Sequence, residues 1–184
     1  MTPAQASMLS VSSLFAEATQ EIIEKFCKIE VKVGKNAQFL STVQISEDIG
    51  AFASFHGNYS GLMVLNFEGE AALELVASSM RSMGMPESEV PSHYMADDVR
   101  GTIGELVNNI IGDARVKIQN KFDLSATATI PAVLPIATPI GLVFKSSSTD
   151  GNVCIRLVFT TPESHRFHLE LNMEGSQIVA LPTS

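Results

Sequence analysis

The 184-residue sequence has no tryptophan, two cysteines, and only 12 Lys and Arg residues against 20 Asp and Glu. Each shortage closes off a class of function. A formal net charge of −8, with few aromatics among basic residues, gives no footing for binding nucleic acid or an anionic membrane. Cys27 and Cys154 stand far apart and outside any metal-ligand spacing, so they read as buried free thiols in a reducing compartment. No stretch approaches the roughly 20 apolar residues of a membrane span. No Lys or Arg precedes Lys25, so the parts of a signal peptide are missing and the expected location is cytoplasmic. There is no Gly-x-Ser-x-Gly elbow for a nucleophilic serine. Gly101-Thr-Ile-Gly104 lies within a helical pattern and lacks the lysine of a phosphate-binding loop. His165-Arg-Phe-His168 has no Cys or carboxylate support, and His56 and His93 stand alone, so no metal site of the chain's own is expected.

What is present is a core-forming composition, 45% hydrophobic, with helical and strand periods alternating along the chain. Residues 1–10, rich in Ser, Ala and Met, are expected to be disordered, ahead of a single domain over 11–184. Leu14, Ala18, Ile22, Ile23 and Phe26 recur on one helical face, with Ser12 or Ser13 as a cap. An alternating strand, Ile29 to Val33, ends at Gly34. Strands at Gly50–His56 and Gly61–Phe67 flank a turn-forming stretch. A second helix opens at Glu68 or Gly69, buries Ala72, Leu75, Val76, Ser79, Met80 and Met83, and stops at Gly84. Met85 to His93 is a connector, followed by a long helix, Asp97 to Phe122, capped by Asp97 or Asp98. The Thr-rich strand Ala126–Pro135 contains Pro131 and Pro135, which confine it to a sheet edge or a strand terminus. A hairpin is expected from Gly141–Ser146 through a turn at Thr149–Asn152 to Val153–Thr161. A last strand alternates at Phe167, Leu169 and Leu171, and the tail fades at Pro182. Antiparallel hairpins packed against two long helices make an α+β (mixed α/β) fold.

The long helix carries the most information. On a wheel at about 100° per residue, Val99, Ile103, Leu106, Val107, Ile110, Ala114 and Ile118 fall in one arc that must face the core. Glu105 and Asn108 emerge together on the opposite side, one turn apart. Gly101, Gly104 and Gly112 share that outer side, although each glycine within a helix costs up to about 1 kcal/mol relative to alanine. A surface stripped of side chains around one carboxylate and one carboxamide suits close docking of another protein. The same residues would also be ordinary on a loosely made, solvated helix.

Glu105-Leu-Val-Asn108-Asn-Ile-Ile-Gly112 resembles the signature helix of the CheC/CheX/FliY family of chemotaxis phosphatases, in which a Glu-x-x-Asn pair is followed four residues later by glycine. The order of Ile29–Lys35, Gly57, Gly61, Leu62–Phe67, Met83-Gly84-Met85 and Ile130–Val133 is similar to that of CheX-like members, so the resemblance spans roughly Phe15 to Pro135. It implies that the partner and substrate is a phosphorylated CheY-type receiver domain, a response-regulator module of two-component signalling. The receiver would supply a Mg2+ ion and a lysine, and the chain would need no cofactor of its own. The resemblance assigns Asn108 to hold the attacking water and Glu105 to pair with the receiver's lysine, with Gly101, Gly104 and Gly112 permitting close approach. A general-base role for Glu105 is the competing idea, but its neighbour is not a second carboxylate. Asn109 could substitute for Asn108, but it points about 100° away. CheC-like members carry a second Glu-x-x-Asn on the first helix; here Glu17-Ala-Thr-Gln20 and Glu21-Ile-Ile-Glu24 offer no asparagine. A single site fits the CheX pattern, whose members are homodimers built through sheet edges. The alternative is a non-catalytic receiver-binding or dimerisation module that keeps the fold and docks without hydrolysis.

Overall fold

The computed structural model describes residues 3–142 and 153–173. The expected turn at Thr149–Asn152 and the tail around Pro182 lie outside them. Helix α1 runs Pro3–Cys27, followed by β1 (Lys32–Val33), β2 (Gln38–Leu40), β3 (Val43–Ile45), β4 (Ile49–Gly57) and β5 (Gly61–Phe67). Next come α2 (Gly69–Ser82), a single 3-10 turn at Glu87–Glu89, and α3 (Asp97–Phe122). The last strands are β6 (Ala126–Ala128), β7 (Ala132–Pro135), β8 (Ile140–Leu142), β9 (Val153–Thr160) and β10 (Arg166–Met173). No described helix is long and apolar enough to cross a membrane.

The main sheet is antiparallel throughout, in the order β1-β9-β10-β5-β4-β6, with β2 also on β9 and β7 also on β4. The proline-bearing segment is thus at the sheet edge, broken into two short strands, as its lost N–H donors require. One face of the sheet carries Ala51, Phe55, Met63, Leu65, Ile155, Phe159, Phe167 and Leu169, which pack with the apolar stripes of all three helices. The other face is covered by a two-stranded ribbon, β3 with β8, over Val64 and Cys154. Covering both faces removes the alternation expected of β10: it is buried from Phe167 through Met173.

The structure corrects several local expectations. Helix α1 starts at Pro3, well before Ser12, so residues 3–10 are helical rather than frayed, and Met8 is 2% exposed. The first strand is only Lys32–Val33, and β2 and β3 were not expected from the sequence. Where it is described, β8 pairs with β3, and the rest of the expected Gly141–Ser146 strand lies outside the described residues. Ala96, in extended conformation, precedes α3 without a side-chain cap bond. Asp97 and Asp98 lie instead in the first turn, where the helix dipole favours acids. Met83 leaves the α2 stripe and is 66% exposed. Both cysteines are free and buried, and burial pushes the Cys27 thiol up to about 12.

The β4–β5 hairpin forms where expected, and its second glycine is sterically required. A Cβ on Gly61 would lie 2.1 Å from the Asn172 carbonyl oxygen and 2.8 Å from the Phe55 ring. The carbonyl belongs to the neighbouring strand and cannot retreat without breaking the ladder. Gly61→Ala is therefore expected to cost about 1–3 kcal/mol in urea denaturation, with an unchanged midpoint showing that the sheet can yield there.

Candidate functional site

Helix α3 lies across the helical face of the sheet. All seven residues of its predicted apolar arc are buried, together with Ile111. The polar pair is therefore turned outward by packing on the opposite side: Glu105 and Asn108 are both exposed. Among the described residues, neither the Glu105 carboxylate nor the Asn108 amide has a hydrogen-bond partner, so both are free to meet another molecule. Asn109 differs. Its Nδ2 donates to the Glu105 carbonyl oxygen at 2.7 Å, which ties its amide to the helix backbone.

The glycines divide into two kinds. A Cβ placed on Gly101 or on Gly112 would meet nothing within 4 Å, so the surface on either side of the Glu105/Asn108 pair is bare. Gly104 departs from the expectation. Its Cβ position is 3.5 Å from Val133 Cγ2, because the edge strand β7 lies beside α3 there, and the same flank buries Ile111. Gly104 is thus half covered by the chain itself, leaving Gly101 and Gly112 as the open positions.

A cleft adjoins the pair on its other flank, between the C-terminal end of α1, α2 and the middle of α3. Phe26, Leu75 and Leu106 line it together with the polar Ser79, Thr102 and Glu105. Phe26, predicted for the α1 core stripe, is 38% exposed there.

The first helix offers no second amide of the same kind. Gln20 Nε2 donates to the Val31 carbonyl oxygen at 2.8 Å. Lys117 Nζ lies 3.0 Å from Glu17 and 2.9 Å from Glu21, and its hydrogen bond and charge hold the Glu17 carboxyl below its usual range. These acids tie α1 to α3 through Lys117.

The histidines read together in the sequence are separated. His165 Nδ1 is 2.9 Å from Glu74 on α2, whereas His168 Nε2 is 3.3 Å from the buried Glu170. Glu74, Glu163 and His165 are the described residues grouped closely enough to hold a metal ion, a cluster the sequence concealed because Glu74 is distant along the chain. Its carboxylate is already used: it accepts from the Thr161 hydroxyl and the Glu163 N–H, pinning the β9–β10 turn to α2.

A family model described as "Protein of unknown function (DUF3334)" matches residues 8–183. No curated protein matches the chain. Among solved structures, a chemotaxis protein from Desulfovibrio vulgaris Hildenborough superposes with a TM-score of 0.74 at 20% identity, covering 90% of this chain and 97% of the other. The chemotaxis protein CheX from Desulfovibrio desulfuricans gives 0.71 at 20% identity, over 90% and 99%. The CheX–CheY–BeF3–Mg2+ complex from Borrelia burgdorferi gives 0.61 at 14% identity, over 88% and 96%. At these identities what is shared is the fold: the chain has the α+β architecture of the CheX and CheC-like chemotaxis proteins.

Proposed function

The chain belongs to the DUF3334 family and has a CheX-type fold, and from that premise we propose that it is a phosphatase for the aspartyl phosphate of a CheY-type receiver domain. The observation that carries this reading is the contrast within α3. Asn108 presents an unengaged amide one turn from an unengaged carboxylate, with bare glycine positions on both sides, while Asn109 is bound to its own helix.

Hydrolysis of an acyl phosphate is mostly positioning and charge stabilisation. Asn108 supplies the positioning: its Oδ1 accepts a hydrogen bond from a water held in line with the phosphorus, and its Nδ2 donates to a nearby oxygen. The water oxygen bonds to phosphorus as the bond to the aspartate oxygen breaks. The products are inorganic phosphate and the free carboxylate, with the water's proton released to solvent. Glu105 pairs with the receiver's lysine and fixes how deeply Asn108 enters. Mg2+ belongs to the receiver and stabilises charge on the phosphoryl oxygens. Gly101 and Gly112 let the receiver's backbone approach the helix. The reading also takes the protein to be cytoplasmic and a homodimer joined through a sheet edge, with β1–β2 and β6–β7 forming the two edges of the main sheet.

The alternative, a receiver-binding module without hydrolysis, would have no use for an unengaged amide beside the anchoring carboxylate. The test is to add the protein to a receiver phosphorylated at its aspartate and follow the loss of phosphate. Decay faster than the receiver's own is expected; an unchanged lifetime together with tight binding would favour the non-catalytic module. Glu105→Lys is expected to weaken binding of the phosphorylated receiver by about tenfold or more, since like charges then face each other. Equal affinity by titration would remove Glu105 from the docking role.

A further inference from the structure

We infer that Glu74, Glu163 and His165 form a site for a divalent transition-metal ion of the zinc class, which clasps the β9–β10 turn to α2. The three come from α2 and from the turn after β9, elements that carry neither Glu105 nor Asn108. One ligand atom from each, two carboxylate oxygens and an imidazole nitrogen, all lie within 4.8 Å of one another. His165 Nδ1 is 2.9 Å from a Glu74 oxygen. Zinc bonds of about 2.0–2.1 Å in a tetrahedral site put neighbouring ligand atoms about 3.3 Å apart. The pair therefore needs to open by only a few tenths of an ångström to admit the ion.

The charge balance around Glu74 points to a cation independently of these distances. Its side chain is 7% exposed, and its ion-pair partner among the described residues is the His165 ring, not a Lys or Arg. A buried carboxylate needs compensating positive charge, and an imidazole supplies it only when protonated. Elsewhere in the fold that charge is permanent, since the fully buried Glu170 is met by the Arg156 guanidinium. Arg81 lines the same groove as Glu74, but it donates to both carboxylate oxygens of Glu87. A divalent ion would give Glu74 the permanent charge it lacks. The bonds that pin the turn do not prevent this. The Thr161 hydroxyl and the Glu163 N–H use two of about four acceptor positions on the carboxylate. Access is open as well, because Glu163 is exposed and the cluster faces a groove lined also by Glu70 and Ser92. Three protein ligands leave the fourth position to water. The imidazole nitrogen favours an ion of the zinc class over Mg2+ or Ca2+, which take oxygen ligands.

Titration of the full chain, free of any histidine tag, with Zn2+ tests the assignment. One ion per chain is expected to bind. At about 100 times its Kd it should raise the Tm by about 5–10 °C, since an ion held only by the folded chain stabilises it. His165→Ala should weaken binding by about tenfold or more and remove most of that rise, a ligand mattering at least as much as its outer partners. Glu163→Gln keeps the backbone N–H bond to Glu74, so it serves if the histidine variant misfolds, and it should weaken binding in the same sense. His56→Ala removes an exposed histidine on β4 and should change neither affinity nor Tm rise. Absence of saturable Zn2+ binding by wild type would overturn the assignment, as would binding unaltered in both the His165 and Glu163 variants. Mg2+ binding as tightly as Zn2+, with His165→Ala equal to wild type, would reduce the cluster to an acidic surface and overturn it too. Receiver dephosphorylation is not the readout, so either result leaves the proposed activity to its own test.

Discussion

Asn108→Ala is expected to lower the saturated rate of receiver dephosphorylation by about 10²-fold or more, while affinity for the phosphorylated receiver changes little. The size follows from the kind of chemistry. Under the proposed function the phosphoryl group is already activated as an acyl phosphate and the receiver supplies Mg2+ and lysine, so the chain would add only a water held in the attacking position. Losing control of that placement commonly costs on the order of 10² in rate. Affinity is retained because Glu105 and the bare helix surface around Gly101 and Gly112 are untouched. Asn109 cannot rescue the variant, since its amide is committed to the Glu105 carbonyl oxygen. Asn109→Ala should accordingly leave the saturated rate within about twofold of wild type, a split between neighbouring asparagines that a generally polar surface would not produce.

Arg156→Ala is expected to destabilise the fold by about 3 kcal/mol at neutral pH, the lower end of the range for breaking a buried ion pair, because the guanidinium is partly exposed. Glu170 on β10 is 0% exposed and is held by Arg156 Nε at 2.8 Å and the Gln44 N–H at 2.8 Å. Burial alone would raise the pKa of Glu170. The nearby His168 ring, the Gln44 N–H and Arg156 together outweigh burial and hold its carboxyl below the ordinary value of 4.5. A carboxyl whose pKa is depressed by folding stabilises the protein above its unfolded pKa. That stabilisation is lost as the pH falls through the folded value. The gap between wild type and Arg156→Ala should therefore be widest near pH 7 and narrow as the solution is acidified toward and below 4.5. Denaturant titrations at several pH values would measure it, and a constant gap would mean that Arg156 contributes packing and not charge.

The sequence made the elements with strong periods legible. The limits of α3 and its apolar arc coincide with the structure because a 3.6-residue stripe over seven turns leaves one way to lie on a sheet. The β4–β5 hairpin was visible from the turn-forming stretch between its strands. The pairing of β3 with β8 was hidden, since strands of three residues carry almost no period and their partner lies far along the chain. That ribbon in turn erased the alternation of β10. The exposure of the Glu105/Asn108 pair was legible in the sequence, but its surroundings were not. Gly104 lost its place on the bare face to β7, an edge strand whose approach to α3 no local pattern encodes. The cleft was missed because its walls come from three helices. Its one sequence signal was the periodic Phe26, which helical spacing assigned to the core.

The direct test of the central claim is the lifetime of a phosphorylated receiver in the presence of saturating wild-type protein and, in parallel, saturating Asn108→Ala. Phosphate is predicted to be lost rapidly with wild type and near the receiver's intrinsic rate with the variant, both proteins binding the receiver comparably. Equal lifetimes with the two proteins would contradict the claim that Asn108 performs the chemistry.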